Sequence, residues 1–297
     1  MDKFCKNCGK EIRENQKSCI NCGKVLLSVK FENKFFLKNK KFIIIISSIS
    51  LLIIFTFIYL FIKPTNSSFS LLDKNIASVV VNIYCESDLS EYASGGSGTI
   101  WTEDGLIITN AHIIPTNDLT GEIDNDSYCL VTLPNPETGQ PNEIYWGYPI
   151  IIPDLSEDYD IAFVQIDDVY YDDEENIYYG DYPKKFPYYI DDKKCSKDYV
   201  KLGEPVRVYG YPSISGGYSL TITDGIISSL LIDEGLIVTS AKISHGNSGG
   251  LAVDENGCML GIPTYFMGDE GESLGMIVSN DFINNFIDEV NAFIENN

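Results

Sequence analysis

The C-terminal body of this chain, residues 73–297, is predicted to be all-β, either a sandwich or a pair of barrels. Its apolar runs are short, rich in Val and Ile, and broken by Gly, Pro and Asp, with no helical pattern between them. These runs cover residues 78–84, 105–109, 161–166, 205–209 and 225–230. A helix is expected only at the end, where Phe282, Phe286 and Val290 recur at helical spacing after a cap at Ser279.

The charge of the chain is divided unevenly along its length. The 297 residues include 21 Lys and Arg, 43 Asp and Glu and two histidines, which gives a net charge of −22. Residues 1–63 hold 12 basic and 4 acidic residues, a net of +8, so the rest carries −30. A body this acidic repels phosphate, and no nucleic-acid partner is expected for it. Any histidine chemistry must use His112 or His245.

Residues 1–24 carry a cysteine repeat with metal-ligand spacing, C-x2-C-x10-C-x2-C, formed by Cys5, Cys8, Cys19 and Cys22. Four thiolates complete a tetrahedral zinc site with no open position, so a structural zinc is expected, and it would supply the folding free energy of so short a segment. Two disulfides are the alternative, which a reducing cytosol disfavours. The segment resembles the short zinc ribbons at the N-termini of many bacterial membrane proteins; nothing in the sequence identifies its partner.

A transmembrane helix is predicted at residues 42–62, behind a basic juxtamembrane segment at residues 25–41. The 21 positions carry no charge, and as a helix they reach roughly 30 Å, the thickness of a hydrocarbon core. A buried core helix and a cleaved signal peptide are the alternatives, but 41 residues precede the run and no small-x-small cleavage pattern follows it. Five lysines lie just before the span, so we expect a single-pass cell-membrane protein with a cytoplasmic N-terminus and an extracytoplasmic body.

Beyond a linker at residues 63–72, three segments of the body carry chemistry. The first ends in Thr-Asn-Ala-His112, the second is Asp158-Tyr-Asp160 before an apolar run, and the third is His245-Gly-Asn-Ser248-Gly-Gly. A serine hydroxyl needs a base near pKa 7 to become a nucleophile, and the base needs a carboxylate to fix its tautomer. His112 ends a β-run, where a buried, oriented imidazole is expected. Asp160 is favoured as the carboxylate, with Asp158 and then Asp154 as alternatives.

Together these segments resemble the trypsin-like, chymotrypsin-fold serine proteases, especially the bacterial HtrA-like branch. The resemblance runs from about residue 74 to the C-terminal helix. It implies two β-barrels and a serine endopeptidase that cleaves a protein or peptide substrate without a catalytic cofactor. His112 would be the base, Asp160 the orienting carboxylate and Ser248 the nucleophile, with the N–H groups of Gly246 and Ser248 as an oxyanion hole. The alternatives are a catalytically silent binding or sensor module and a zinc-ribbon signalling protein with a passive outer domain.

The sequence departs from that branch at three places. HtrA-like proteases usually carry a C-terminal PDZ domain, but this chain ends 16 residues after Asp281 and none is expected. His245 stands where the branch usually has Pro, at the rim of the primary specificity pocket. Lys242 corresponds to the base of that pocket, where a cation would favour an acidic side chain before the scissile bond; a solvent-facing lysine is the alternative.

Two features of the body remain open from the sequence. Residues 167–182 hold seven acidic residues and five tyrosines. They lack the spacing of a calcium loop. Because like charges packed this closely resist collapse, we expect a solvated, partly disordered insertion. Cys85, Cys129, Cys195 and Cys258 allow three disulfide pairings or free buried thiols, and their spacing does not choose among them.

Overall fold

The computed structural model describes residues 4–11, 18–19, 21–22, 71–120, 122–124, 126–151, 155–175, 177–189, 200–264 and 274–296. The chain divides into two compact units, residues 1–66 and 67–297. The predicted membrane span at residues 42–62 and the basic segment before it lie outside the described residues. Within the described ranges, no helix is both long and apolar enough to cross a membrane.

In the first unit, the chain around Cys5 and Cys8 forms a tight loop. Phe4 and Glu11 make an antiparallel bridge, and the Cys5 N–H donates to the Lys10 carbonyl at 2.8 Å. The Gly9 N–H donates back to the Cys5 carbonyl at 2.8 Å. Gly9 has a φ of +69°, a left-handed conformation that glycine adopts without strain. This loop lets both thiols of the first Cys-x2-Cys pair reach one point.

The first six strands of the second unit close into an antiparallel barrel in the order β1-β2-β3-β6-β5-β4. They are β1 (Val80–Glu86), β2 (Ser94–Ile100), β3 (Leu106–Thr109), β4 (Tyr128–Pro134), β5 (Pro141–Ile150) and β6 (Ala162–Val169). Alternate side chains of β1, such as Val81 and Ile83, point inward and are buried with Val131 and Val164 in one core.

The acidic segment at residues 167–182 is more ordered than the sequence predicts. β6 continues to Val169, and β7 (Tyr171–Asp172) pairs with β8 (Ile177–Tyr178) in a small hairpin. The Tyr171 and Tyr178 rings lie 4.5 Å apart across this hairpin, and Tyr170 packs edge-on against Trp146 at 5.1 Å. The prediction of partial disorder is wrong because cross-strand aromatic contacts offset the repulsion among the carboxylates.

The last six strands close into a second antiparallel barrel in the order β10-β11-β14-β13-β12-β9. They are β9 (Pro205–Gly210), β10 (Thr221–Leu231), β11 (Leu236–Thr239), β12 (Leu251–Val253), β13 (Met259–Thr264) and β14 (Gly275–Ser279). Val206, Ile227 and Ile277 belong to its core. The all-β prediction is confirmed, and the two closed barrels decide between its alternatives.

Among the described residues, three α-helices accompany the barrels: α1 (Leu71–Ala77), α2 (Leu155–Tyr159) and α3 (Asn280–Asn296). The C-terminal helix is confirmed, and the Phe282 N–H donates to the Ser279 hydroxyl at 3.3 Å, as expected of a cap. The sequence missed α1 and α2, which are too short to show a helical period. α1 takes the last two residues of the predicted linker.

A third apolar cluster joins the two barrels and receives α3. It contains Val80 of the first barrel, Tyr209 of the second, and Ile283 and Phe286 of the helix, all buried. Phe286 lies 5.7 Å from Phe163 of β6, measured between ring centroids. The helix therefore packs against residues of both barrels.

One disulfide lies inside the first barrel. Antiparallel pairing of β1 with β4 sets Cys85 opposite Cys129, and their sulfurs are bonded. Cys258 is disulfide-bonded as well. Cys195, the fourth of these cysteines, lies outside the described residues.

Candidate active site

His112 lies in a 3-10 helix, Ala111–Ile113, that directly follows β3. Ala111 and Ile113 are buried, so they fix the turn while the imidazole between them points outward. The His112 side chain is 46% exposed, which makes it accessible rather than buried as the sequence suggested. A half-exposed imidazole can exchange protons with a bound molecule.

Asp160 lies between α2 and β6, and its carboxylate contacts both the ring and the backbone of His112. Its Oδ1 lies 2.9 Å and its Oδ2 3.0 Å from Nδ1 of the imidazole, and the backbone N–H of His112 donates to Oδ1 at 3.1 Å. These contacts hold a proton on Nδ1 and leave Nε2, on the far side of the ring, as the basic nitrogen.

The backbone of Asp160 is in the left-handed region, with a φ of +51°, uncommon for a residue with a side chain. Asn110, which is fully buried, stabilises this conformation. Its Nδ2 donates to the Asp160 carbonyl at 2.9 Å and to Oδ2 at 3.1 Å. Asn110 therefore anchors both the backbone and the carboxylate of Asp160.

Of the two alternative carboxylates, the structure describes Asp158, which does not occupy this position. Asp158 lies on α2 with an exposed side chain and makes no hydrogen bond with His112 among the described contacts. Asp154 lies outside the described residues. The structure thus brings Asp160, and not Asp158, to the imidazole.

Ser248 lies in the loop between β11 and β12, and its side chain is nearly buried, with 4% of the residue exposed. Two glycines of this loop have positive φ and no room for a Cβ. At Gly246 (φ +95°) an added Cβ would lie 2.3 Å from the Tyr211 carbonyl oxygen. At Gly249 (φ +81°) it would lie 2.2 Å from the Ser97 carbonyl oxygen. The loop can follow this path only with glycine at both positions.

The peptide groups around Gly246 are held by specific partners. The carbonyl of His245 accepts from the Ser213 N–H at 2.9 Å, and because a trans peptide sets its N–H opposite its C=O, the Gly246 N–H points the other way. That N–H donates to no group of the described residues. The carbonyl of Gly246 accepts from the Ser97 hydroxyl at 2.6 Å. Gly246 thus offers a backbone donor on a fixed loop.

The loops of the two barrels touch at Gly249, whose α-carbon faces Thr109 and Asn110 at the end of β3. The backbone N–H of Ser97 in β2 donates to the Ser248 carbonyl at 2.8 Å. These contacts bring the Ser248 loop against the chain that carries His112.

A pocket of about 230 Å³ lies beside the Ser248 loop. Its lining includes Gly246 and an exposed His245. Three tyrosines and an asparagine also line it: Tyr84, Tyr211, Tyr218 and Asn82. Lys242 is not among the residues that line this pocket. Its side chain is exposed, and its carbonyl accepts from the Thr223 hydroxyl at 3.0 Å.

Sequence reasoning missed Ser97 and Asn110 as site residues. Asn110 lies inside the Thr-Asn-Ala-His motif, where its place two residues before His112 was a local signal. Ser97 lies 151 positions before Ser248 in a Gly-Ser-Gly run that reads as an ordinary turn. Only the packing of β2 against the second barrel brings it to the Ser248 loop.

The four N-terminal cysteines form one cluster. Their sulfurs all lie within 4.8 Å of one another, with Cys5–Cys22 at 3.7 Å and Cys8–Cys19 at 3.5 Å. Zinc bonds of about 2.3 Å in a tetrahedron separate the sulfurs by about 3.8 Å. The donor set and its spacing fit a structural zinc, as predicted.

Comparison with known proteins agrees with this geometry. A family model described as a trypsin-like peptidase domain matches residues 96–262, more than half of the chain, and a zinc-ribbon domain matches residues 4–26. The serine protease HTRA1A of Danio rerio is 29% identical over 210 residues, which are 64% of this chain and 35% of that protein.

A probable periplasmic serine endoprotease, DegP-like, of Buchnera aphidicola subsp. Baizongia pistaciae is 26% identical over 200 residues, 65% of this chain and 35% of that protein. The chain therefore spans about a third of the length of these relatives.

Proposed function

Because this chain belongs to the family of trypsin-like peptidase domains, we propose that it is a serine endopeptidase that cleaves protein or peptide substrates. The observation that carries the proposal is the double contact of the Asp160 carboxylate with His112. It leaves Nε2 as the basic nitrogen on an accessible ring, in a chain that holds the Ser248 loop against the same strand end.

In the proposed reaction, Nε2 of His112 takes the proton of the Ser248 hydroxyl while the hydroxyl oxygen forms a bond to the substrate carbonyl carbon. The Asp160 carboxylate stabilises the imidazolium, and the carbonyl oxygen, now negative, accepts from the N–H groups of Gly246 and Ser248. Each such donor contributes about 3 kcal/mol to the transition state. The tetrahedral intermediate expels the amine, which takes the proton from Nε2, and water activated by the same imidazole then releases the acyl group.

We propose that a substrate side chain binds in the pocket beside Gly246, within reach of the oxyanion donor. Its tyrosines and the His245 ring supply flat surfaces, and no Lys or Arg is among the described residues that line it. The predicted preference for an acidic residue before the scissile bond depends on Lys242 instead. Cleavage at Glu or Asp that disappears in Lys242→Ala would support that preference, and equal cleavage at Ala or Val would overturn it.

We propose further that the body works outside the cytoplasm, attached to the cell membrane by residues 42–62. The Cys85–Cys129 bond supports this location, because disulfides persist mainly in oxidising compartments. The positive charge before residue 63 supports the orientation.

Labelling with a fluorophosphonate probe tests the proposed chemistry, since the probe reacts with a serine only when a base activates it. The full chain should be labelled, Ser248→Ala should not, and Ser228→Ala should label like the wild type because Ser228 is exposed on β10. A folded wild type that resists the probe would favour the silent binding module.

A further inference from the structure

Ser97 is a polar residue of the first barrel whose hydrogen bonds lead to the second. It lies on β2 and is fully buried. Its hydroxyl accepts from the Tyr211 N–H at 2.9 Å and donates to the Gly246 carbonyl at 2.6 Å. Its backbone N–H donates to the Ser248 carbonyl at 2.8 Å. The Ser97 side chain thus connects Tyr211, the residue after β9, with the loop that carries the proposed nucleophile.

We infer that Ser97 is a positioning residue, whose hydroxyl holds the Gly246 backbone so that the oxyanion donor, the Gly246 N–H, keeps its orientation. The inference rests on the function proposed above. Ser97 does not touch the substrate; it acts on the peptide group that follows Gly246.

The need for such a residue comes from the glycine itself. Gly246 lacks a Cβ, so its two flanking peptide groups can rotate more freely than those of other residues. The Ser213 N–H holds the peptide before Gly246. The peptide after it is held at its carbonyl by the Ser97 hydroxyl and at its N–H, that of Asn247, by the Ser244 carbonyl at 3.0 Å. The Gly246 N–H belongs to the first of these peptides. With the second peptide also held, the chain cannot rotate about the Gly246 α-carbon and carry that N–H out of place. The Ser213 contact is made by backbone alone, so Ser97 supplies the side-chain half of this pair.

The hydroxyl also pairs with two backbone groups at once. Without it, the buried Tyr211 N–H and the half-buried Gly246 carbonyl would both lose this partner, and folded proteins avoid unpaired polar groups away from water. The Gly246 peptide would turn toward another donor, and its motion would misdirect the neighbouring N–H. Removal of the Ser97 hydroxyl should therefore weaken stabilisation of the transition state, where the oxyanion forms, and leave substrate binding unchanged.

The test compares Ser97→Ala with Thr99→Val in the full chain. Thr99 is also fully buried on β2, but its hydroxyl has no hydrogen-bond partner among the described residues, so its removal breaks no contact. We expect Ser97→Ala to lower kcat by roughly 10- to 100-fold, which is no more than the loss of rate when one whole oxyanion donor is removed. KM should stay within about twofold of the wild-type value. Thr99→Val should keep the wild-type kcat.

A second readout separates positioning from general destabilisation. A peptidyl trifluoromethyl ketone, which forms a tetrahedral oxyanion on the serine, should lose affinity for Ser97→Ala by the same factor as kcat/KM, at temperatures where each variant is folded. If Ser97→Ala does not fold, Ser97→Cys retains a weak hydrogen-bonding group at the same place and should show a smaller loss in both measurements.

The outcomes distinguish this inference from the proposed function. An inactive, unlabelled wild type removes the proposed function and the inference with it. An active wild type whose Ser97→Ala variant keeps both kcat and ketone affinity overturns the inference alone. A rise in KM at constant kcat would overturn it too, since it would assign Ser97 to substrate binding.

Discussion

Replacing Asp160 by asparagine should reduce catalysis while leaving the fold intact. The carboxylate accepts from the His112 Nδ1–H and backbone N–H and from Asn110 Nδ2. An asparagine has one oxygen and one NH2 group for these donors. Whichever way the amide is turned, its NH2 faces a donor, either on His112 or on Asn110. The substitution therefore removes a charge and also creates a donor–donor contact.

The size of the effect follows from the charge. When His112 takes the serine proton, an imidazolium forms beside the carboxylate, and two unit charges about 4 Å apart attract by about 4 kcal/mol at an effective dielectric constant near 20. Loss of that attraction lowers the rate roughly 10³-fold. The donor–donor contact adds to it by favouring the tautomer with a proton on Nε2, which cannot accept from Ser248. We expect kcat to fall by roughly 10³- to 10⁴-fold.

The assay is steady-state cleavage of a peptide selected from a library, together with the rate of fluorophosphonate labelling, since both need the same base. Asp158→Asn is the matched control: it makes the same chemical change two residues earlier on an exposed helix position, and it should retain nearly the wild-type kcat. An Asp160→Asn variant within about tenfold of the wild type would refute the role given to Asp160, as would an equal loss in Asp158→Asn.

Three further predictions follow from the structure. Gly249→Ala should abolish labelling, because the added Cβ would lie 2.2 Å from the Ser97 carbonyl oxygen; normal labelling of a folded variant would contradict this. Joint replacement of Cys85 and Cys129 by serine opens a crosslink 44 residues apart and should lower the free energy of unfolding by up to about 4 kcal/mol in denaturant titrations, whereas an unchanged midpoint would exclude a stabilising role. Removing zinc with a chelator, or Cys8→Ser, should unfold the N-terminal ribbon without changing peptide cleavage by the body, and a parallel loss of both would show that the two units are coupled.

The His112–Asp160 contact was predicted from the local segments together with their resemblance to the trypsin-like proteases, since the residues alone left Asp158 and Asp154 as alternatives. The pairing of Cys85 with Cys129 was not predictable, since it depends on which strand lies beside β1. The hairpin in the acidic segment was missed for a different reason. The negative charge of this segment favours disorder, whereas the contact between Tyr171 and Tyr178 depends on strand register.

Contacts between strands that are distant in sequence also bear on whether a His-Asp-Ser set is active. His112 and Ser248 belong to loops of different barrels, and two buried side chains of the first barrel hold the parts of the site in place. Asn110 supports Asp160 in its left-handed conformation, which on its own would be unfavourable by about 1–3 kcal/mol, and Ser97 holds the peptide after Gly246. A protein with His112, Asp160 and Ser248 but without these two side chains would keep the three residues and lose the contacts that hold them. The presence of Asn110 and Ser97 at hydrogen-bond distance is therefore stronger support for an active peptidase, against a silent binding module, than the triad motifs themselves.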